Sequence, residues 1–248
     1  HQKAFVNAVS HELRTPITLI GGYANRLQRR VANLSPDQVE QLALIREESL
    51  RMGRLVSDLL EIARNDSGTL KVAQEPFDAA VVLVEAYQRL SRALRGRLRC
   101  HDPAEPISAI GDSDRLIQSL SNLIENAGKY SPPDEPIELS LSCTADQVIF
   151  HVRDHGPGVP AAERQLIFER FVRGRDASAG PHAGSGIGLA VVQALMQAMG
   201  GEVGVEDAPG GGADFQLRVP LVLSPEPSLP PTVIRSRRDR ATPPATPS

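Results

Sequence analysis

Apolar residues recur at three- and four-residue steps from the start of the chain: Phe5, Val9, Leu13, Ile17, Ile20, Ala24 and Leu27. That step places them on one stripe of a helix from Phe5 to about Leu27. The stripe breaks at "NLSPD", where Ser35 or Asp37 can cap a new helix and Pro36 can open it. It resumes with Val39, Leu42, Ile45, Ser49, Met52, Val56, Leu59 and Ile62, and ends at "RNDSG". The spacing predicts a helical hairpin with a narrow apolar seam, which cannot enclose a core alone. Two copies together make a four-helix bundle, so the expectation is a homodimer. The alternative is a seam packed against the second half of the same chain.

After Gly68 the rhythm changes. Strand-like runs ("TLKVA", "PIELSLSC", "QVIFHVRD", "GEVGVED", "ADFQLRVP") alternate with helical ones near Ala79–Leu94, Asp112–Lys129, Ala162–Phe168 and Ile187–Met199. Late strands that neighbour one another with helices between predict an α+β sandwich, not a doubly wound parallel sheet. From Ser224 the chain is rich in proline with almost nothing to bury, which reads as a disordered tail with a short basic patch at Arg235 to Arg240. The expected division is a hairpin domain at 1–67, a sandwich domain at 68–223 and a tail at 224–248.

Composition narrows the class without naming a function. Hydrophobic residues make up 41% and charged residues 23% of the 248, which is globular. A formal charge of −3 carries no basic field for nucleic acid, so Arg95, Arg97 and Arg99 read as solvated surface. The two cysteines, Cys100 and Cys143, match no metal spacing and read as core or strand thiols of a reducing compartment. No apolar run reaches the roughly 18 residues of a membrane span. At His1 the helical spacing is already running, as in a fragment of a longer protein.

Four stretches carry chemistry. "HELRTP" sets His11 beside Glu12, with Thr15 one turn on and Pro16 next. Proline there frees the Glu12 carbonyl and bends the helix, an arrangement that costs stability. "NLIENAGKY" puts Asn122 and Asn126 on one helical face with Lys129 close to it. Two amide oxygens suit Mg²⁺, which keeps waters and substrate phosphates, and a lysine suits phosphate. "DHGPGVP" leaves Asp154 at a strand end before Gly156 and Gly158, where a carboxylate can accept from the exocyclic amine of a base. "GSGIGLA" offers Gly184, Gly186 and Gly188 ahead of a helix N-terminus, a phosphate cradle without the lysine of a P-loop. The small, polar run from Gly174 to Ala183 has the composition of a lid or of an ordinary long loop.

Together these stretches resemble the sensor histidine kinases of two-component signalling. "SHELRTP" is similar to the H box, "NLIENAGKYSP" to the N box and "DHGPGVP" to the first glycine box. "FERFVRG" is similar to the F box and "GSGIGLA" to the second glycine box, and all five occur in the family's order over roughly Phe5 to Pro220. The resemblance implies a dimeric helical hairpin carrying a phosphorylated histidine. It also implies an ATP-binding sandwich of the kind shared with gyrase, the Hsp90 chaperone and MutL.

By that resemblance His11 is the phosphoacceptor, Glu12 its neighbouring acid and Thr15 the residue supporting dephosphorylation of the partner. Asn122 and Asn126 are the Mg²⁺ ligands, Lys129 and Tyr130 lie near the nucleotide, and Asp154 reads adenine. Gly156, Gly158, Gly184, Gly186, Gly188 and Leu189 belong to the pocket and lid, and Arg173 approaches the phosphates. His101, His151, His155 and His182 read as structural or solvated.

The implied activity is ATP-dependent autophosphorylation of His11 and transfer to an aspartate of a response regulator's receiver domain, with phosphatase activity toward that regulator. Phosphoryl transfer asks for positioning and charge neutralisation, with a neutral imidazole as nucleophile. The implied location is the cytoplasm, beneath a membrane anchor in a missing N-terminal segment. Gyrase-like ATPases are expected to have a glutamate where this chain has Asn122. A nucleotide-gated scaffold and such an ATPase are the alternatives; His11, Glu12 and Asn126 favour the kinase.

Overall fold

The computed structural model describes residues 2–31, 34–94, 96–101, 106–172 and 185–222, with the backbone alone for residues 2–14. Two long helices open the chain, α1 (Gln2–Arg30) and α2 (Pro36–Asp66), packed as an antiparallel hairpin. Helix α1 continues through Pro16. Of the two caps expected for α2, Ser35 holds the position. Its hydroxyl accepts from the Gln38 amide at 3.3 Å, while Gln38 Oε1 accepts from the Ser35 amide at 2.9 Å, with Pro36 at the first helical position.

The seam divides as a hairpin's must. Ile17, Ala24 and Ser49 are buried between the helices, whereas Ile20, Leu27, Ile45, Met52 and Leu59 remain exposed. At the lower end, Ile62 packs with Leu55 and Leu70 against the second domain. Part of the seam therefore meets the same chain, as the alternative held, and part has no cover within it.

The second domain runs β1 (Glu75–Asp78), α3 (Ala79–Leu90), β2 (Leu98–Cys100), β3 (Ser108–Gly111), α4 (Ser113–Tyr130), β4 (Ile137–Cys143) and β5 (Gln147–Arg153). A 3₁₀ turn (Leu166–Phe168), α5 (Gly188–Ala198), β6 (Glu202–Asp207) and β7 (Ala213–Pro220) complete it. Five strands form one sheet in the order β2-β4-β5-β7-β6, antiparallel except for the β2–β4 pair, while β1 and β3 form a separate ribbon. This is the expected α+β sandwich. Val148, Phe150 and Val152 of β5, with Phe215, Leu217 and Val219 of β7, meet Leu116, Leu120, Leu123 and Ile124 of α4 and Val192 and Met196 of α5.

Two local expectations fail for clear reasons. "TLKVA" is not a strand, because its amides end the hairpin instead: those of Thr69 and Leu70 donate to the Arg64 carbonyl at 2.8 and 3.1 Å, and that of Ala73 to Asp112 Oδ2 at 2.9 Å. Ala162–Phe168 is a run of turns closing in the 3₁₀ turn, anchored by buried Ile167 and Phe168. Short β2 and β3 were not anticipated. The candidate lid at 174–183 and the tail from Ser224 lie outside the described residues. Cys100 and Cys143 are free thiols, on β2 and at the end of β4. Among the described residues no helix is long and apolar enough to cross a membrane.

Candidate functional site

Helix α4 is built to present a polar edge. Asp112 caps it by accepting from the Arg115 amide at 3.1 Å, and its apolar face is fully buried. Asn122, Glu125 and Asn126 are half-buried on the opposite side, with Lys129 and Tyr130 exposed at its C-terminal end. All five line a cavity of about 1540 Å³. Asn122 Nδ2 donates to the Gly188 carbonyl at 3.4 Å, which ties α4 to the start of α5 and leaves its oxygen as an acceptor.

Asp154, 4% exposed, follows β5 directly and lines the same cavity. Its Oδ1 accepts from the Gly156 amide at 2.8 Å and the Ala213 amide at 3.3 Å. Burial pushes its carboxyl above the ordinary range, opposed by those two donors and by the neighbouring His155. With Oδ1 fixed, Oδ2 is the oxygen left to accept from a ligand donor. Two glycines allow the surroundings to close in. A Cβ at Gly156 would lie 2.9 Å from the Tyr130 carbonyl oxygen, and Gly158 holds φ +74 against Gly212.

Gly186 sits at φ +69 where a Cβ would be 3.0 Å from the Phe171 backbone, and its carbonyl accepts from the Phe171 amide at 2.9 Å. Phe171 is itself strained, with φ 63, and its ring is 65% exposed. Gly186, Gly188 and Leu189 line the cavity at the N-terminus of α5, where helix amides suit an anion.

The opposite wall is the hairpin, including Ile17, Thr18, Gly21 and Gly22 of α1 and Arg54 and Asp58 of α2. The hairpin is held there by Ile62 among Ile187, Val191 and Leu195, by Glu61 accepting from Arg115 at 2.6 Å and Gln118 at 2.7 Å, and by Arg170 on Asp66 at 2.5 Å. Asp58 has its pKa raised to about 6, first by burial and then by Glu61 and Glu125, against the opposing charge of Arg54.

The structure thus gathers Asn122, Asn126, Lys129, Tyr130, Asp154, Gly158, Gly186, Gly188 and Leu189 around one cavity, with Gly156 just behind Asp154. Exposed Thr15 stands on α1 less than one turn before the lining residue Ile17. His11 and Glu12 belong to α1 by backbone, their side chains lying outside the described residues, as do Arg173 and Gly184 entirely. Sequence reasoning missed Thr18, Arg54, Asp58 and Glu125, whose roles depend on how the hairpin docks. It read His155 and His151 correctly as structural: His155 Nδ1 donates to the Pro136 carbonyl at 3.1 Å, and His151 is buried beneath the sheet's outer face.

The chemistry on offer is recognition of a base donor by Asp154, of phosphate by Lys129 and the α5 N-terminus, and of a hard cation by two amide oxygens. Comparison with known proteins agrees. Residues 1–68 match the family described as "His Kinase A (phospho-acceptor) domain", and residues 111–223 that described as "Histidine kinase-, DNA gyrase B-, and HSP90-like ATPase". The chain is 38% identical over 221 residues to the probable sensor histidine kinase TcrY of Mycobacterium tuberculosis, covering 88% of this chain and 46% of TcrY. It is 35% identical over 240 residues to the histidine-protein kinase/phosphatase MprB of Mycolicibacterium paratuberculosis, covering 93% and 44%.

The chain spans less than half the length of these curated relatives. Full-length ShkA in complex with AMPPNP superposes with a TM-score of 0.73 at 30% identity, over 89% of this chain and 46% of that one. The mycobacterial sensor histidine kinase MprB does so at 0.50 and 31% identity, over 60% and 97%.

Proposed function

The chain belongs to the sensor histidine kinases of two-component signalling, and from that premise we propose that it phosphorylates its own His11 from ATP. It then passes the phosphoryl group to an aspartate of a response regulator's receiver domain. Hydrolysis of the regulator's phosphate is the return half of the proposal, supported by the kinase/phosphatase designation of the similar MprB. The observation that carries the reading is the shared cavity: the helix bearing His11, fewer than two turns before Ile17, borders the same space as Asn122, Asn126 and Asp154.

In this reading residues 1–67 are the dimerisation and phosphotransfer domain and 68–223 the ATP-binding domain. Asp154 Oδ2 accepts from the exocyclic amine of adenine, while Lys129 and the α5 amides beyond Gly186 meet the phosphates. The amide oxygens of Asn122 and Asn126 fit Mg²⁺, since Asn122 spends its nitrogen on Gly188. Bound there with ATP, the ion neutralises phosphate charge. Tyr130, Gly156, Gly158, Gly188 and Leu189 form the walls, and Arg173 and Gly184 join them by resemblance.

An imidazole nitrogen of His11 attacks the γ-phosphorus as the bond to the β-phosphate oxygen breaks, and ADP leaves with that electron pair. Glu12 accepts the ring's remaining N–H. Thr15, one turn after His11, orients the water that hydrolyses the regulator's acyl phosphate. The uncovered apolar side chains Ile20, Leu27, Ile45, Met52 and Leu59 support a homodimeric bundle. The intact protein places this region on the cytoplasmic side, beneath a membrane-anchored segment.

Incubation with Mg²⁺ and γ-labelled ATP tests the reading, for this chain and for His11→Ala. Acid-labile, alkali-stable label that disappears with His11 is expected. ATP binding with no label on His11 would reduce the chain to a nucleotide-gated module, and label persisting in His11→Ala would move the acceptor elsewhere.

A further inference from the structure

A second buried polar cluster lies outside the cavity. Residues alternate across a strand, so His151 and Arg153 of β5 and Asp214 and Gln216 of β7 face away from the helices that cover Phe150, Val152, Phe215 and Leu217. His151, Asp214 and Gln216 are 7%, 4% and 5% exposed.

Asp214 is the centre of the cluster. Its Oδ2 accepts from His151 Nδ1 at 3.0 Å, from Arg153 Nε at 3.2 Å and from Gln216 Nε2 at 3.4 Å. A carboxylate only accepts, so His151 carries its hydrogen on Nδ1 and turns Nε2 to Ser142 Oγ at 2.8 Å. Burial raises the Asp214 carboxyl, and the hydrogen bonds and charges of His151 and Arg153 outweigh it, holding the pKa below its ordinary value. The group stays anionic and firmly held.

Its place in the ladder gives the cluster meaning. Arg153 pairs across the strands with Asp214, and the next step along is Asp154 with Ala213. There the Asp154 amide donates to the Ala213 carbonyl at 2.9 Å, and the Ala213 amide returns a bond to Asp154 Oδ1 at 3.3 Å. On its other side Ala213 follows Gly210, Gly211 and Gly212, at φ +91, +102 and +94. Such a turn offers no side chain to fix the Ala213 amide. Asp214 is the first side chain after it that is tied to a neighbouring strand.

We infer that Asp214, clamped by His151 and Arg153, is a positioning residue for base recognition: it fixes the Ala213 amide that aims the Asp154 carboxylate. The inference rests on Asp154 reading the exocyclic amine of adenine. With Oδ1 held by two amides, Oδ2 faces the base in one orientation. A loosened Ala213 amide lets the carboxylate turn, and the amine loses its partner. A base with a carbonyl in place of the amine gains nothing from the carboxylate, so the preference for adenine over hypoxanthine reports the aim.

The experiment measures ADP and IDP dissociation constants by calorimetry on the whole chain, for wild type, Asp154→Asn, Asp214→Asn and Arg153→Gln, with circular dichroism to verify folding. Wild type is expected to prefer ADP, and Asp154→Asn to abolish the preference. Asp214→Asn is expected to cut it about tenfold, the worth of one well-aligned hydrogen bond, while IDP affinity holds. Arg153→Gln, half-buried and safer for folding, should cut it less and decides the matter if Asp214→Asn does not fold.

An ADP-to-IDP ratio unmoved in folded Asp214→Asn or Arg153→Gln, beside one abolished by Asp154→Asn, overturns the positioning role. Equal losses for ADP and IDP overturn it too, since they mark general destabilisation. A ratio untouched by Asp154→Asn overturns the reading of Asp154, and this inference with it.

Discussion

Gly21 and Ser49 mark the close approach of the two hairpin helices. Ser49 Oγ donates to the Ile17 carbonyl at 2.5 Å, and a Cβ on Gly21 would stand 2.7 Å from Ser49 Oγ. A glycine costs a helix interior about 1 kcal/mol against alanine, so its presence needs such a reason.

The first prediction follows from that balance. Gly21→Ala gains about 1 kcal/mol of helix propensity but displaces the Ser49 hydroxyl, losing a hydrogen bond of similar worth. The change should be near neutral in wild type and stabilising by about 0.5–1 kcal/mol in a Ser49→Ala background. Gly21→Val, with more volume at the contact, should cost about 1–3 kcal/mol. Thermal unfolding of the four variants checks this; equal effects of Gly21→Ala in both backgrounds would remove Ser49 from the account.

Gly212 is the second case. Its φ is +94, and a Cβ would fall 2.0 Å from the Asp154 carbonyl oxygen, whereas Gly210, at φ +91, has nothing within 4 Å. Gly210→Ala should therefore cost only the left-handed conformation, about 1 kcal/mol. Gly212→Ala must also push the turn off the base pocket, so ADP affinity should fall more than tenfold. Calorimetry on the pair decides, and similar ADP affinities in both would rule out the close approach as the cause.

A third prediction concerns pH. Asp58 binds its proton more tightly in the folded chain, with a pKa about 6 against the ordinary 3.8, because burial and then the charges of Glu61 and Glu125 oppose ionisation. Between those values the folded state holds more protons than the unfolded one, so this group's contribution to stability falls as pH rises. A tenfold difference in proton affinity is worth about 1.4 kcal/mol, and partial solvent access reduces the total to about 1–2 kcal/mol. Asp58→Asn should be more stable than wild type by that amount at pH 7, and the gap should close by about pH 4. A gap independent of pH in thermal denaturation would contradict the assignment.

Much of this was legible in the residues, and the rest was hidden for physical reasons. The helices bearing His11 and Asn122 announce themselves through long apolar periods, and Asp154 through an apolar strand that ends in glycines. Leu98–Cys100 and Ser108–Gly111 are too short to show a period, and Leu98 finds its partner at Ile137, far along the chain. Thr69–Ala73 alternates like a strand but spends its amides on a helix end and a helix cap. Asp58 stands in an ordinary helical stretch, "SDLLEI", and reaches the cavity only because α2 docks on α5. His151 and Asp214 are 63 residues apart, and only the β5–β7 register brings them together.

That docking yields the last prediction. Ile62, 4% exposed, packs among Ile187, Ala190, Val191 and Leu195, a cluster separate from the one that fills the sandwich. A charge buried there without a partner costs several kcal/mol, so Ile62→Asp should release α2 from α5. The sandwich core contains no hairpin residue, so it should persist alone. ADP affinity should stay within about threefold of wild type, because the base and phosphate contacts lie on α4, α5 and the ends of β5 and β7. Calorimetric unfolding should change from one transition to two, and the connection from Ser67 to Gln74 should become sensitive to protease. A single transition together with lost ADP binding would mean that the hairpin is part of the nucleotide site's own foundation, and the two domains would then have to be treated as one cooperative unit.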